Sequence, residues 1–318
     1  NEPTFAAMGG APDGYDAAEY GRDVAVCDRF MRQAAPQTIF LGPGSVGEPG
    51  WLTLPSGMLS SEDLLAACGP VFDAFSYHFY GAISSRGAEM LPEAVTTPEA
   101  ALSEEWLGRT EVSEAFYADL RDRFQPDAPL WVTETADAAA GGNPWASSFL
   151  DSFRYVEQLG RLAKRGVQVV IHNTLASSDY GLLDEQTLLP RPSYWAALLW
   201  RRLVGTTVLD PGTPSMPNLH LYAHSLRAHP RGVVLVVLNT HPRAYRELII
   251  PAASERYTLS ARELLDTTVD LNGAELKLDA NGGLPPLAGV PTPPGRVSLA
   301  PASITFLAVQ DQTGSAPG

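Results

Sequence analysis

The sequence predicts an α/β protein: residues 1–203 as roughly the second half of a (β/α)8 TIM barrel, then a C-terminal antiparallel β-sandwich, residues 204–318. Three observations support this. Short apolar strands alternate with amphipathic helices over the first 200 residues, which is typical of parallel strands with right-handed crossovers. The count reaches one strand end and four strand–helix units, whereas a closed barrel has eight. Beyond Gly205, short strands separated by turn residues indicate a sandwich.

The barrel half contains four predicted strands, at 38–42, within 71–78, at 129–133 and at 167–172. Helices are predicted over 15–35, after an N-cap at Ser60, and over 110–124, 146–165 and 193–203, from apolar residues at helical spacing. Because an open half-barrel exposes strand edges, we expect an N-terminal companion segment from the same precursor, of about 100–150 residues, to complete the barrel.

The sandwich strands are predicted at 219–224, 233–238, 247–250, 275–278 and 303–309. The histidines of this region, His220, His224, His229 and His241, are predicted to be surface residues. Cys27 and Cys68 lie among apolar residues of the first half, and we expect both to be small core residues on helices.

Composition excludes several classes of partner. The 36 acidic residues outnumber the 22 basic ones, for a net charge of −14, and nucleic-acid binding needs a basic surface. No apolar run reaches the roughly 18 residues of a membrane span. No metal-ligand spacing and no glycine-rich phosphate loop is present. We therefore expect no nucleic acid, membrane, metal or cofactor.

Two glutamates carry the predicted chemistry. Catalytic groups of a barrel gather at the C-terminal ends of its strands, and Glu2 and Glu134 each fall at such an end. Retaining glycosidases hold a carboxylate pair about 5–5.5 Å apart. We expect Glu134 to be the ionised nucleophile and Glu2 to start protonated as acid and then act as base. Asn1 is placed to bind a sugar hydroxyl, and Tyr80 to donate to Glu134.

Other interpretations of these residues remain open. A single glutamate after a strand is usually a solvated loop residue. His78 is either a substrate-binding residue or a buried structural histidine, and Tyr80 is either a donor or a wall residue. His172 is expected to support its neighbours rather than to act as acid or base.

Several stretches resemble the heparanase family of β-glucuronidases, glycoside hydrolase family 79. The most specific are 180–185 (Tyr-Gly-Leu-Leu-Asp-Glu), Pro190, 193–195 and 202–206; residues 73–80, 134–135, 269–273 and 284–287 also match. The resemblance implies that Glu2 is the acid/base and Glu134 the nucleophile. It further implies that backbone N–H groups of Gly141 and Gly142, together with Tyr180, bind the glucuronate carboxylate, and that Asn173 lies at a substrate-contact position.

This resemblance leads to an expected function: a retaining endo-β-D-glucuronidase that cuts glucuronic acid linkages in heparan sulfate-type polysaccharides. The helix after Glu2 mixes Arg22, Arg29 and Arg32 with acidic residues, so its basic cluster is weak. The alternatives are exo-cleavage of smaller glucuronides, a barrel glycosidase for neutral sugars, and a non-hydrolytic glycan-binding protein. Since such polysaccharides lie outside cells, we expect a secreted or periplasmic protein.

Overall fold

The computed structural model describes residues 1–48, 58–89, 91–212, 216–227, 229 and 231–310. They form two compact units. The first contains 1–96, 108–140 and 162–173, and the second contains 97–107, 141–161 and 174–318. The chain passes between the units several times, so the domain boundary predicted after residue 203 stays a prediction.

A four-stranded parallel sheet forms the centre of the first unit. Its strands are β1 (Leu41–Ser45), β2 (Ala74–Tyr80), β3 (Leu130–Ala136) and β4 (Val169–His172), in the order β1-β2-β3-β4. The predicted parallel arrangement is confirmed. The predicted bounds of the first strand are wrong by three residues, because Gly42 and Pro43 lie inside β1 rather than ending it.

The helices are α1 (Ala17–Ala34), α2 (Ser61–Cys68), α3 (Glu104–Phe124), α4 (Phe149–Lys164) and α5 (Pro192–Leu203). The predicted cap of α2 is confirmed: Ser60 Oγ accepts a hydrogen bond from the Asp63 N–H at 3.1 Å. Asp16 caps α1 in the same way, accepting from the Glu19 N–H at 2.8 Å. The third helix begins six residues before its predicted start at Thr110. Among the described residues, no helix combines the length and apolar character needed to cross a bilayer.

The core of the first unit explains which side chains remain for chemistry. Alternate residues of β2, namely Phe75, Tyr77 and Phe79, pack in a cluster with Val132 of β3 and Tyr117 of α3. Successive side chains of a strand point to opposite faces. The intervening residues of β2, Ser76, His78 and Tyr80, are therefore on the other face of the sheet.

Helix α1 presents apolar residues to solvent. Val24 is buried, but Val26 and Phe30 are each 64% exposed. The prediction that Cys27 is a core residue is wrong, since its side chain is exposed. Cys68 is half-buried and packs against the core of the first unit.

The second unit contains antiparallel sheets. Its strands are β5 (Val204–Leu209), β6 (Leu219–Leu226), β7 (Val233–Asn239), β8 (Arg246–Ile250), β9 (Ser254–Ser260), β10 (Asp270–Leu271), β11 (Ala274–Glu275), β12 (Val290–Thr292), β13 (Gly295–Leu299) and β14 (Ser303–Val309). The larger sheet has the order β11-β10-β9-β14-β7-β6-β5, with β12 on β9, and β13 pairs separately with β8.

Both sheets contribute to one apolar cluster, which includes Leu221, Val237, Leu307, Ile250 and Val297. The antiparallel prediction is confirmed, while the complete sandwich and the closed barrel stay predictions. The predicted strand 275–278 is wrong beyond Glu275, because β11 ends there. The strands β5, β9, β10, β12 and β13 were not predicted from the sequence, although β9 and β13 alternate buried and exposed residues.

A buried polar network lies beside β6. His220 Nε2 is 2.6 Å from Glu104 Oε1, and its Nδ1 is 2.6 Å from Glu157 Oε1. Tyr222 Oη also donates to Glu157 Oε1, at 2.7 Å. The predicted surface location of His220 and His224 is wrong, since each is only 2% exposed. The carboxylates that accompany His220 come from distant helices, so the local sequence carried no sign of them.

Candidate active site

Glu2 is attached to the C-terminal end of β1. It caps a 3₁₀ turn, Pro3–Phe5, with left-handed backbone angles of φ 45° and ψ 56°. Its backbone N–H donates to Gly44 O at 3.1 Å, and Thr4 Oγ1 donates to Val46 O at 3.2 Å. Such a conformation costs a non-glycine residue on the order of 1–3 kcal/mol. The two bonds to the strand end therefore hold the backbone around Glu2 in place.

Glu134 lies on β3 and receives a hydrogen bond from β2. The parallel register pairs it with His78, after an irregularity between Tyr77 and His78. Tyr80 Oη donates to Glu134 Oε1 at 2.5 Å. This is the donor contact that the sequence predicted for Tyr80.

Asn173 immediately follows β4 and reaches the same carboxylate. Its backbone N–H donates to Thr135 O at 2.8 Å. Its side-chain Nδ2 donates to Tyr80 Oη at 2.8 Å and to Glu134 Oε1 at 3.3 Å. Three neighbouring strands, β2, β3 and β4, thus meet around one oxygen of Glu134.

His78 connects the two glutamates. Its Nδ1 is 3.0 Å from Glu2 Oε1 and 3.7 Å from Glu134 Oε2. The imidazole is 6% exposed, whereas the side chains of Glu2 and Glu134 are each 30% exposed. The carboxylates are therefore open to a ligand while the histidine between them is enclosed. The contact to Glu2 gives this buried histidine a hydrogen-bonding partner, while Glu134 is close enough for an electrostatic interaction only.

The two carboxylates lie close to each other. One oxygen of Glu2, one oxygen of Glu134 and a ring nitrogen of His78 all lie within 4.8 Å of one another. These donors form the group in the described part of the chain that could hold a metal ion. The sequence showed no metal motif, because the three residues come from separate strand ends.

Two phenols on the opposite face of the sheet remain neutral. The rings of Tyr77 and Tyr117 stack with centroids 4.5 Å apart. Burial raises the pKa of both well above the ordinary value, and for Tyr117 the charges of Glu48 and Glu2 raise it further. Neither phenol therefore competes for protons with the carboxylates at neutral pH.

The remaining predicted site residues are distributed between the units. Asn1 is exposed and precedes Glu2 in the first unit. Gly141, Gly142 and Tyr180 belong to the second unit. Both glycines have positive φ, 85° and 77°, and Gly141 O accepts a hydrogen bond from the Asp179 N–H at 3.0 Å. Their role toward a substrate stays a prediction.

Sequence reasoning missed Arg191, which organises the loop around Tyr180. Its Nη1 donates to Ser178 O at 2.8 Å, Asp179 O at 2.7 Å and Gly181 O at 3.2 Å. Its Nη2 also donates to Asp184 Oδ2 at 3.2 Å. A single arginine between two prolines gives no sequence signal for such a role, since its acceptors are backbone carbonyls.

The chain resembles heparanases and related proteins in sequence, although no protein-family model matches it. It is 32% identical to heparanase-like protein 1 of Arabidopsis thaliana, over 69% of this chain and 39% of that protein. It is 30% identical to heparanase of Mus musculus, over 90% and 54% of the two chains. A baicalin-β-D-glucuronidase of Scutellaria baicalensis is 30% identical, over 62% and 40%. The chain spans about half or less of the length of these relatives.

Solved structures of glycoside hydrolases share the fold. A 4-O-α-L-rhamnosyl-β-D-glucuronidase from Fusarium oxysporum superposes with a TM-score of 0.65 at 13% identity, covering 97% of this chain and 69% of that one. A family 44 endoglucanase from Clostridium acetobutylium gives 0.66 at 12% identity, covering 98% and 65%. At such low identity the likeness concerns the fold alone.

Proposed function

This chain belongs to the family of heparanases and heparanase-like β-glucuronidases, and from that premise we propose that the protein containing it is a retaining β-glucuronidase. One observation carries the proposal. Glu2 and Glu134, roughly 130 residues apart in sequence, have oxygens within 4.8 Å of each other and of His78. Retaining enzymes place their carboxyl groups about 5–5.5 Å apart, and inverting enzymes about 6.5–9.5 Å apart. The short separation supports retention.

The reaction proceeds in two displacements. The Glu134 carboxylate attacks the anomeric carbon while Glu2 gives its proton to the glycosidic oxygen, so that the C–O bond breaks and the alcohol leaves. Glu2, now ionised, takes a proton from water, and that water attacks the same carbon and releases Glu134. Two inversions leave the product with the configuration of the substrate.

Carboxylate recognition is proposed for Gly141, Gly142 and Tyr180, as the resemblance implies. Backbone N–H groups make charge-assisted hydrogen bonds to a carboxylate without an arginine. The positive φ of both glycines is compatible with such a turn, since glycine adopts it without strain. Replacing Tyr180 by Phe is expected to raise KM for 4-nitrophenyl β-D-glucuronide more than KM for the matching glucoside. Equal effects on both substrates would remove Tyr180 from this role.

For the polymer, we propose internal cleavage of glucuronic acid-containing chains of the heparan sulfate type with little sulfation. Two of the three arginines of α1 are already paired with acidic residues: Arg32 bonds Asp73 and Asp28, and Arg22 lies 3.3 Å from Glu19. The alternative is exo-cleavage of small glucuronides, the substrate type named for the Scutellaria relative. The sizes of early products separate the two: mid-length fragments support endo-cleavage, and free glucuronic acid alone supports exo-cleavage.

We also propose that a further segment of the same precursor completes the barrel. Within the described residues, β1 pairs only with β2 and β4 only with β3, and Ile171 of β4 is 48% exposed. Parallel sheets are normally covered on both faces, and Val26 and Phe30 on α1 are exposed as well. Native mass spectrometry should find a second polypeptide, or a longer chain, in the active protein. Full activity of residues 1–318 alone would refute this.

Export to the cell exterior or periplasm follows from the proposed polysaccharide substrate and is checked by fractionating cells that express the complete gene. If the barrel were never completed, a glycan-binding protein without turnover would be the alternative. That protein would bind heparan sulfate fragments and leave them intact after prolonged incubation.

The decisive experiment uses the full-length protein with 4-nitrophenyl β-D-glucuronide. Glu134→Gln should lower kcat by at least about 1,000-fold, as expected for loss of a nucleophile. Glu62→Gln, a surface control on α2, should leave kcat unchanged. The anomer formed first, followed by proton NMR, should be β. An α-anomer, or full activity of Glu134→Gln, would reject the proposed mechanism.

A further inference from the structure

The side-chain amide of Asn173 donates hydrogen bonds to Glu134 and to Tyr80, which itself donates to Glu134. Its Nδ2 is 2.8 Å from Tyr80 Oη and 3.3 Å from Glu134 Oε1. An amide NH2 group only donates, while a tyrosine hydroxyl donates one proton and also accepts. Tyr80 therefore accepts from Asn173 and directs its own proton to Glu134 Oε1, at 2.5 Å. The hydrogen bonds therefore run in one direction, with Asn173 donating to Tyr80 and Tyr80 donating to Glu134.

These hydrogen bonds make the two carboxylate oxygens of Glu134 inequivalent. Oε1 receives the donors from β2 and from the end of β4, whereas Oε2 faces His78 Nδ1 at 3.7 Å. We infer that Asn173 is a positioning residue that fixes the Tyr80 hydroxyl as a donor to Oε1 and thereby reserves Oε2 for attack on the anomeric carbon. The inference rests on the proposed function and replaces the substrate contact that the resemblance implies for Asn173.

The backbone explains why this amide acts on the nucleophile. The Asn173 N–H is bound to Thr135 O at 2.8 Å, which holds residue 173 against β3. From that anchor the short asparagine side chain reaches its neighbours on β2 and β3. Hydrogen-bonded chains polarise one another, so the Asn173 donor strengthens the bond from Tyr80 to the carboxylate. A rigid carboxylate needs less reorganisation during attack.

The pH dependence of the reaction reports this arrangement. The titratable groups around Glu134 are Tyr80 and His78 on β2 and Glu2, whose backbone is bound to Gly44 of β1. Hydrogen bonds to a carboxylate favour its charged form. Loss of the Asn173 donor should therefore move the acidic limb of the kcat/KM profile to higher pH. A residue that only contacts substrate would leave that limb in place.

The test is a double-mutant cycle in the full-length enzyme with 4-nitrophenyl β-D-glucuronide. Asn173→Ala should lower kcat roughly 10- to 100-fold, as expected for one hydrogen bond to a charged group, with KM changed less than about twofold. In a Tyr80→Phe background the same change should have a much smaller effect, because the intermediary is missing. Asn281→Ala, an exposed loop variant, serves as control. A rise in KM alone, or independent effects in the cycle, would overturn the inference.

A second arm does not depend on turnover. Carbon-13 NMR of labelled glutamate carboxyls, with the Glu134 signal assigned by its loss in Glu134→Gln, follows its titration directly. In Asn173→Ala the signal should titrate at higher pH than in the wild type. An unchanged titration would reject the role of Asn173. If the wild type hydrolyses no glucuronide while the titration moves as expected, the proposed function fails and the positioning role stands.

Discussion

Replacing His220 by Gln should make the protein less stable at acidic pH and have a smaller effect at alkaline pH. The imidazole lies between two carboxylates, with Glu104 and Glu157 each 2.6 Å from one ring nitrogen. Burial alone would lower the pKa of His220, but the hydrogen bonds and charges of Glu157 and Glu104 raise it above its ordinary value. The two carboxylates therefore favour the protonated imidazolium of His220 in the folded protein.

The pH dependence of this stabilisation follows from the linkage between proton binding and folding. A cation whose pKa is higher in the folded state contributes its full stabilisation below the unfolded value, about 6.5 for histidine, and loses it as pH rises through the folded value. One proton limits the slope to about 1.4 kcal/mol per pH unit. His220→Gln should remove this slope from the stability profile above about pH 6.5.

The stability that His220→Gln loses depends on which of the two carboxylate contacts is buried. Glu157 is 1% exposed in its side chain, whereas Glu104 is 52% exposed, so solvent screens the Glu104 contact. A buried hydrogen bond to a charged group contributes about 1.5–3 kcal/mol. Glu157 keeps Arg161 at 2.7 Å and Tyr222 at 2.7 Å in the variant, so the remaining carboxylate is still paired. We expect a loss of about 2–3 kcal/mol near pH 5.5.

The assay is urea unfolding of the full-length protein between pH 5 and 9. His224→Gln is a matched control on the same strand, because His224 is also 2% exposed but burial lowers its pKa. The contribution of a histidine with a depressed pKa falls as pH falls, so the two variants should change the profile in opposite directions. Parallel profiles for wild type and His220→Gln would refute the imidazolium assignment.

Three further outcomes are expected. Gly160→Ala places a Cβ 2.5 Å from the Tyr222 ring and should lower the free energy of unfolding by about 1–3 kcal/mol through overpacking. The control Gly108→Ala, which has no atom nearby, should be neutral or stabilising. Equal Tm values for the two variants would contradict the packing of α4 on β6. Arg191→Met removes four hydrogen bonds and thereby loosens the loop that carries Tyr180, so KM for a β-glucuronide should rise about tenfold or more. An unchanged KM would show that this loop keeps its conformation without the arginine. Prolonged treatment with EDTA should leave hydrolysis intact, because the proposed mechanism uses Glu2, Glu134 and water; loss of activity restored by added Zn²⁺ would instead support a metal held by the carboxylates and His78.

Much of the first unit was predictable because its order is local. Hydrophobic spacing placed the end of α3 at its observed last residue, Phe124, and the Ser60 cap marked the start of α2. Parallel topology then placed Glu2 and Glu134 at the same edge of the sheet, since the carboxyl ends of such strands meet there. The missed strands β9 and β13 lie between charged and proline-rich segments, where the alternation is short.

The contacts within the site were harder to predict from the sequence. A sequence shows that His78, Tyr80 and Asn173 follow or end strands, but not which atom each side chain reaches. The direction of the Asn173 amide depends on a backbone bond to Thr135 of another strand. The burial of His220 likewise depends on Glu104 and Glu157, which are far away in the chain.

Sequence alone determined the alternation of strands and helices in residues 1–203, the acidic charge and the choice of Glu2 and Glu134 as the candidate acids, because periodicity and turn chemistry act over a few residues. Tertiary structure decided that His78 would join those glutamates, that Asn173 would face Tyr80, and that α1 would leave Val26 and Phe30 exposed. The physical reason is reach: hydrogen bonds and ion pairs act over about 3–4 Å, and only the folded chain brings distant residues that close.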